Sequence, residues 1–332
     1  MVKILSRTVI VLVVVGMAVS CAFPADKLPA AKAGEIGQPT GKIAFARDKN
    51  VWVMNADGNG QMLVTEVMNT DGRMSWAPDN RRIMFTRSGS VDLKGPDMLG
   101  GRHKVYDLFV AFLDSADANN TRFWYRITDD LGNRDAQWLK NDRVIFWKDM
   151  NANLVNASMP NYQVAIMDDD GSNIDLLRKD WQNMSSFLTA PSLSPDSQLA
   201  FVYFSGTSQL GLVVIPLDKA MMPTDSIKAL AEKNRGLTGP AWSPDGKWLA
   251  YVSSSMNSPG LFIATPDLSE RYLVFEPPVG TFVYPTAPSF SPNSKWLTFA
   301  TSDGSVWTCD ITGSNARRLT GPGTDQFPAW SK

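Results

Sequence analysis

The 332-residue chain is 44% hydrophobic and 20% charged, with 32 Lys and Arg against 33 Asp and Glu. So even a charge balance excludes the basic footprint of a nucleic-acid binder, and a globular chain of this length buries roughly 75% of the surface it exposes when unfolded. Eleven Trp suggest stacked sheets, while a single His leaves little material for histidine-based chemistry.

The first element in chain order is "MVKILSRTVIVLVVVGMAVSC". Lys3 and Arg7 precede an apolar run from Val9 to Val15, and small residues follow up to Cys21. This reads as a secretory leader over residues 1–20, its apolar run short of the roughly 20 residues that span a bilayer. Residues 18–21, "AVSC", resemble a bacterial lipobox with Ala18 where Leu is usual. The resemblance implies a lipidated Cys21 and a periplasmic-side anchor of two or three acyl chains, where one would be marginal. Ala22 in place of Asp favours, by the same resemblance, the outer over the inner membrane. With Cys21 lipidated, Cys309 has no disulfide partner, and within "SVWTCDIT" it reads as a small buried hydrophobe. Residues 21–40 carry Pro, Ala, Lys and Gly without apolar periodicity, the composition of a flexible tether.

From residue 41 onward one phrase recurs. It is fullest as "GPAWSPDGKWLAYVSS" (239–254), and returns as "SWAPDNRRIMFTR" (75–87), "QWLKNDRVIFWK" (137–148), "PSLSPDSQLAFVY" (191–203) and "PSFSPNSKWLTFAT" (288–301). Its aromatic or Leu anchors are Trp76, Trp138, Leu193, Trp242, Phe290 and Trp330, spaced 62, 55, 49, 48 and 40 residues apart. After each turn comes a period-two pair, such as Ile83/Phe85 or Leu249/Tyr251, the mark of a strand. The intervening residues (Met84, Ile145, Ala200, Ala250, Thr298) are mostly apolar or small, which suits a sheet covered on both faces. Third and fourth strand-like runs complete each unit, as in "GLFIATPD" and "ERYLVFEP". Helical patterning is limited to a possible short turn at "SIKALAEKN".

The first unit, beginning "GKIAFARDKNVWVMN", lacks a first strand, and the chain's last residues, "FPAWSK", supply one. The expected fold is all-β: a six-bladed β-propeller of four-stranded antiparallel blades over 41–332, closed by the C-terminal strand completing the N-terminal blade. The repeated aromatics are expected to pack between blades rather than to stack a ligand.

The pattern P-x-[WF]-S-P-[DN]-[GS]-K-W-L, followed by D-x-D-G and R-x-L-T, resembles the repeat of the TolB-like, WD-repeat-like propeller family. The family's namesake is periplasmic, binds peptidoglycan-associated lipoprotein and other Tol components, and carries an α/β domain before its propeller. That domain has no counterpart between Cys21 and Gly41, so the resemblance implies the propeller and leaves the Tol partners open.

No catalytic constellation is legible: His103 is the single base for a triad, and neither a G-x-S-x-G elbow nor a zinc cluster occurs. No metal or other cofactor is expected. In "DDDG" (168–171) a calcium loop would place Ile166 at the first ligand position, so a hairpin turn is the better reading. The long insertions fall on one face, at 88–103, 148–161, 180–190 and 276–288. Loops on a rigid scaffold gather binding residues, which makes Asp92, Lys94, Arg102, His103, Trp181, Phe282 and Tyr284 candidates for contacting a partner. The expectation is a monomeric, lipid-anchored envelope protein that binds another envelope protein without catalysis. The alternative is a binder of a glycan or peptidoglycan fragment in the central channel, or a hydrolase or lyase of unrecognised type.

Overall fold

Period-two strands need partners along both edges, and here they find them within each repeat. The computed structural model describes residues 27–29, 36–92, 102–116, 122–152, 160–177, 190–205, 209–219, 221, 223, 224, 226, 228–231, 236–254 and 259–332. Blade 1 holds β1 (Lys42–Arg47), β2 (Asn50–Asn55) and β3 (Met62–Thr65). Blade 2 holds β4 (Ser75–Trp76), β5 (Arg82–Asp92), β6 (Arg102–Ala116) and β7 (Arg122–Arg126). Blade 3 holds β8 (Asn133–Trp138), β9 (Arg143–Asp149), β10 (Tyr162–Asp168) and β11 (Asp175–Leu176). Blade 4 holds β12 (Ser192–Leu193), β13 (Gln198–Ser205), β14 (Gln209–Pro216) and β15 (Lys228–Ala231). Blade 5 holds β16 (Leu237–Trp242), β17 (Leu249–Ser253), β18 (Gly260–Ala264) and β19 (Arg271–Phe275). Blade 6 holds β20 (Ser289–Phe290), β21 (Trp296–Thr301), β22 (Ser305–Asp310) and β23 (Arg317–Arg318). The last strand, β24 (Gln326–Trp330), pairs with β1, giving blade 1 the order β24-β1-β2-β3.

Six four-stranded antiparallel sheets thus form the expected six-bladed propeller, and its hydrophobic core falls into six clusters, one per blade junction. The alternation within the second strand decides which junction each side chain enters. Ile43 and Phe45 pack on blade 6, whereas Ala44 and Ala46 face blade 2. Leu249 and Tyr251 pack on blade 4, whereas Ala250 faces blade 6. All six anchors, Trp76, Trp138, Leu193, Trp242, Phe290 and Trp330, likewise point at the preceding blade. Large residues on one face and smaller ones opposite let neighbouring sheets interlock at close-packed density. Cys309 is fully buried in the junction of blades 5 and 6, and burial pushes its thiol well up.

The Ser-Pro-Asp turn has a local cause. Ser243 Oγ donates to Asp245 Oδ1 (2.6 Å) and accepts the Trp248 amide (3.0 Å), while the Ser243 amide bonds the Trp248 carbonyl (2.9 Å). Ser291 repeats the set with Asn293 and Trp296. At the ring closure the same bonds join the two chain ends: the Lys42 amide donates to Ser331 Oγ (3.0 Å) and the Ser331 amide to the Lys42 carbonyl (2.8 Å).

Two expectations change. Residues 88–103 are not a loop throughout, because β5 and β6 pair continuously to Asp92↔Arg102 and leave only 93–101 as the connection. Of "SIKALAEKN", residues Lys228–Ala231 form a strand rather than a helical turn and pair with β14, whose free edge outweighs local helix propensity. Within the segment read as a tether, Leu28 and Ile36 rest against the junctions flanking blade 6.

Candidate functional site

Strand alternation gives the propeller two faces. Turns between first and second and between third and fourth strands share the turn face; second-to-third loops and blade-to-blade links share the link face. The turn face is self-satisfied: Asp170 accepts from the Ser172 amide and hydroxyl, and Asp168 accepts from Asn173. Asp169 pairs instead with Arg82 of blade 2 (2.8 Å), so all three carboxylates of "DDDG" are engaged, and Ile166 lies buried in β10. Among the described residues no group of three or more His, Cys, Asp or Glu is arranged to hold a metal ion.

The link face carries the candidates expected from sequence. Asp92, Arg102 and His103 come together at the end of the β5–β6 hairpin, where Asp92 pairs with Arg102 and Val91 with His103. Phe282 and Tyr284 lie on the link into blade 6, held by Phe282 N–H to Ser302 Oγ (3.1 Å) and Tyr284 N–H to the Ala300 carbonyl (2.8 Å). Phe282 is 51% exposed. Blade 1 separates the two groups, so they line different sectors of the face. Lys94 and Trp181 lie outside the described residues.

A second concentration of polar residues surrounds the axis, where β24, β4, β8, β12, β16 and β20 form the innermost ring. Three of these strands bulge three residues before their anchor, at positive φ: Asp135, Gly239 and Phe327. At Gly239 a Cβ would lie 2.4 Å from the Thr286 carbonyl oxygen, so only glycine lets blade 6 approach there. Asp135 uses its bulge to accept the Arg73 amide (2.8 Å) and the Arg134 Nε (2.6 Å). Arg73, in the link into blade 2, sends Nη1 to the Pro191 carbonyl of blade 4 (3.0 Å), passing the inner strand of blade 3. Burial lowers the Arg73 guanidinium to about 10, against the opposing pull of Asp135.

Beside this, Arg134 lies 4.4 Å over the Tyr106 ring, and burial pushes the Tyr162 phenol up to about 12, opposed by Arg134. A phenol so shifted stays a donor at neutral pH. Sequence reading missed these residues, although charges three or four positions before a Trp anchor ("GRMSW", "NRDAQW") were the available signal.

With the geometry in place, comparison with solved structures is informative. TolB from Acinetobacter baumannii aligns with a TM-score of 0.65 at 18% identity, over 88% of this chain and 66% of that one. The fold is the TolB-like propeller. A putative TolB from Agrobacterium tumefaciens aligns with a TM-score of 0.58 at 15% identity, over 89% of this chain and 92% of that one. The same architecture extends to a nidogen/laminin complex structure, with a TM-score of 0.61 at 11% identity, over 88% of this chain and 98% of that one. The sequence itself matches no protein-family model and no curated protein. At such identities the TolB-like propeller is shared as a scaffold, and function must be read from this chain's own surfaces.

Proposed function

We propose that this protein is a lipid-anchored cell-envelope scaffold, held at the membrane through Cys21, whose propeller binds an envelope protein without catalysis. One asymmetry supports the reading. Of seven exposed large hydrophobic residues among those described, Met68, Met150, Val279 and Phe282 lie on the link face, Ile174 alone on the turn face, and Met62 and Phe123 on outer strands. Exposed apolar side chains gathered on one face fit a protein interface better than a sugar groove.

The test is site-specific photo-crosslinking in cells from Phe282 and Arg102, with Ile174 as the turn-face control. A discrete adduct from the first two and none from Ile174 supports the reading. Equal labelling from all three, or saturable binding of muropeptides without a protein adduct, overturns it. Incorporation of a palmitate analogue, lost in Cys21→Ser, tests the anchor.

A further inference from the structure

We infer that the rim of blade 6, with its junction to blade 5, is the surface this propeller turns toward the bilayer, leaving blade 3 farthest from it. The inference rests on the lipid anchor proposed at Cys21, which itself lies outside the described residues. The chain between anchor and ring sets the orientation. The Gly41 carbonyl accepts the Ala56 amide (3.0 Å), the Thr40 carbonyl accepts the Trp330 indole (2.8 Å), and Ile36 packs on the core between blades 6 and 1. Leu28 packs on the core at the other flank of the same blade, between blades 5 and 6. A chain seated on both flanks of blade 6 is free only ahead of Leu28, which stands seven positions after Cys21. An extended chain spans at most about 3.5 Å per residue, so the acylated end lies within about 25 Å of Leu28. Twenty free positions, from Cys21 to Gly41, would have reached about 70 Å, more than the roughly 50 Å breadth of a domain of this length, and would have set no orientation.

The junction that receives Leu28 carries side chains suited to that position. Trp248, Tyr272 and Trp307 pack half-buried on the same core cluster. Trp248 and Tyr272 meet edge to face with ring centroids 6.0 Å apart, and Trp307 lies 5.2 Å from Phe275. Two of them show a hydrogen-bonded polar end: the Tyr272 hydroxyl donates to Glu270 (2.7 Å) and the Trp307 indole to Thr301 (3.0 Å). Rings that are apolar at one end and polar at the other are favoured at the headgroup level of a bilayer. Among the described residues Trp124 and Trp52 are single in the half-buried fringes of two other junctions, and the remaining three fringes have no Trp. Charge adds little, because Lys247 is offset by Asp245 and Arg318 by Asp303. A propeller standing on this rim keeps its link face clear of the bilayer, open to the protein partner proposed above.

Energy transfer to a labelled membrane tests the orientation. Ala316 and Ile174 hold the same place in the third-to-fourth strand connections of blades 6 and 3, "GSNA" and "GSNI", and both are exposed. Full-length Ala316→Cys and Ile174→Cys, acylated in cells, are labelled with a donor dye, which the buried Cys309 does not take up. They are then placed in phosphatidylethanolamine–phosphatidylglycerol vesicles carrying an acceptor on the headgroups. Transfer from position 316 should exceed that from position 174 at least twofold. Adding Leu28→Ser/Ile36→Ser, with acylation and the melting transition retained, should bring the two to equality. Equal transfer without those two substitutions, or a difference that survives them, overturns the inference while leaving the anchor standing. Mass spectrometry that finds no acyl group on Cys21 overturns both.

Discussion

Blades 1 and 5 make the same turn from different chain. In blade 5 the bonded pair Ser243 and Trp248 is five residues apart, whereas in blade 1 Ser331 and Lys42 are separated by 289. Closing the longer loop from the unfolded chain costs roughly 3–4 kcal/mol more in entropy. Blade 1 carries extra contacts that offset it. Arg47 grips the buried Asp325 with Nε (2.8 Å) and Nη2 (2.7 Å), and lies 5.1 Å from both the Phe45 and Trp52 rings. The Trp330 indole donates to the Thr40 carbonyl (2.8 Å), and the Asp48 amide to Thr324 Oγ1 (2.9 Å). A turn motif therefore needs its hydrogen bonds but not its covalent link, provided neighbouring contacts hold the ends in place.

The strongest way to break the comparison is deletion of residues 326–332. It bares the inner edge of β1 and strips the core of Trp330, and should cost more than about 5 kcal/mol in urea unfolding; an unchanged midpoint would refute closure by β24. Next, Asp325→Ala leaves Arg47 without its partner and should cost about 3 kcal/mol. The more exposed pair of blade 6, cut by Asp303→Ala, should cost under about 1 kcal/mol. Ser331→Ala and Ser243→Ala each remove one amide acceptor, a loss of about 1 kcal/mol. Thermal melts should show the larger drop for Ser331→Ala, because no covalent turn backs it up.

Replacing 93–101 by Asn-Gly preserves the Asp92↔Arg102 pair and should shift stability by less than about 0.5 kcal/mol. The smallest effect concerns Lys332. Its folded value of about 8 lies below the ordinary lysine value near 10.4, so folding disfavours its proton. Stability should then rise slightly as pH climbs from about 8 towards 10, and Lys332→Met should abolish that rise.

Much of the fold was legible because each repeat states its own strands. Ile43/Phe45 and Leu249/Tyr251 carry the period, Ser243-Pro244-Asp245 the turn, and "FPAWS" the missing strand. The extension of β5 and β6 was not, because Ser88, Gly89 and Ser90 look like loop residues until Tyr106, Val105 and Lys104 pair with them. Of the candidate residues, Asp92, Arg102 and His103 proved neighbours across one hairpin, while Phe282 and Tyr284 belong to a different sector of the face.

The axial residues illustrate the division. Sequence by itself determined how many blades there are, which residues face which junction and how the ring closes, since those follow from period, turn chemistry and repetition along the chain. Only the tertiary structure decided that Arg73 would meet Pro191, 118 residues on, and that the Lys332 backbone would be held by Asn80, 252 residues back. Contacts across the axis depend on the closed ring, whose curvature sums the packing of all six junctions, and no local pattern encodes that sum.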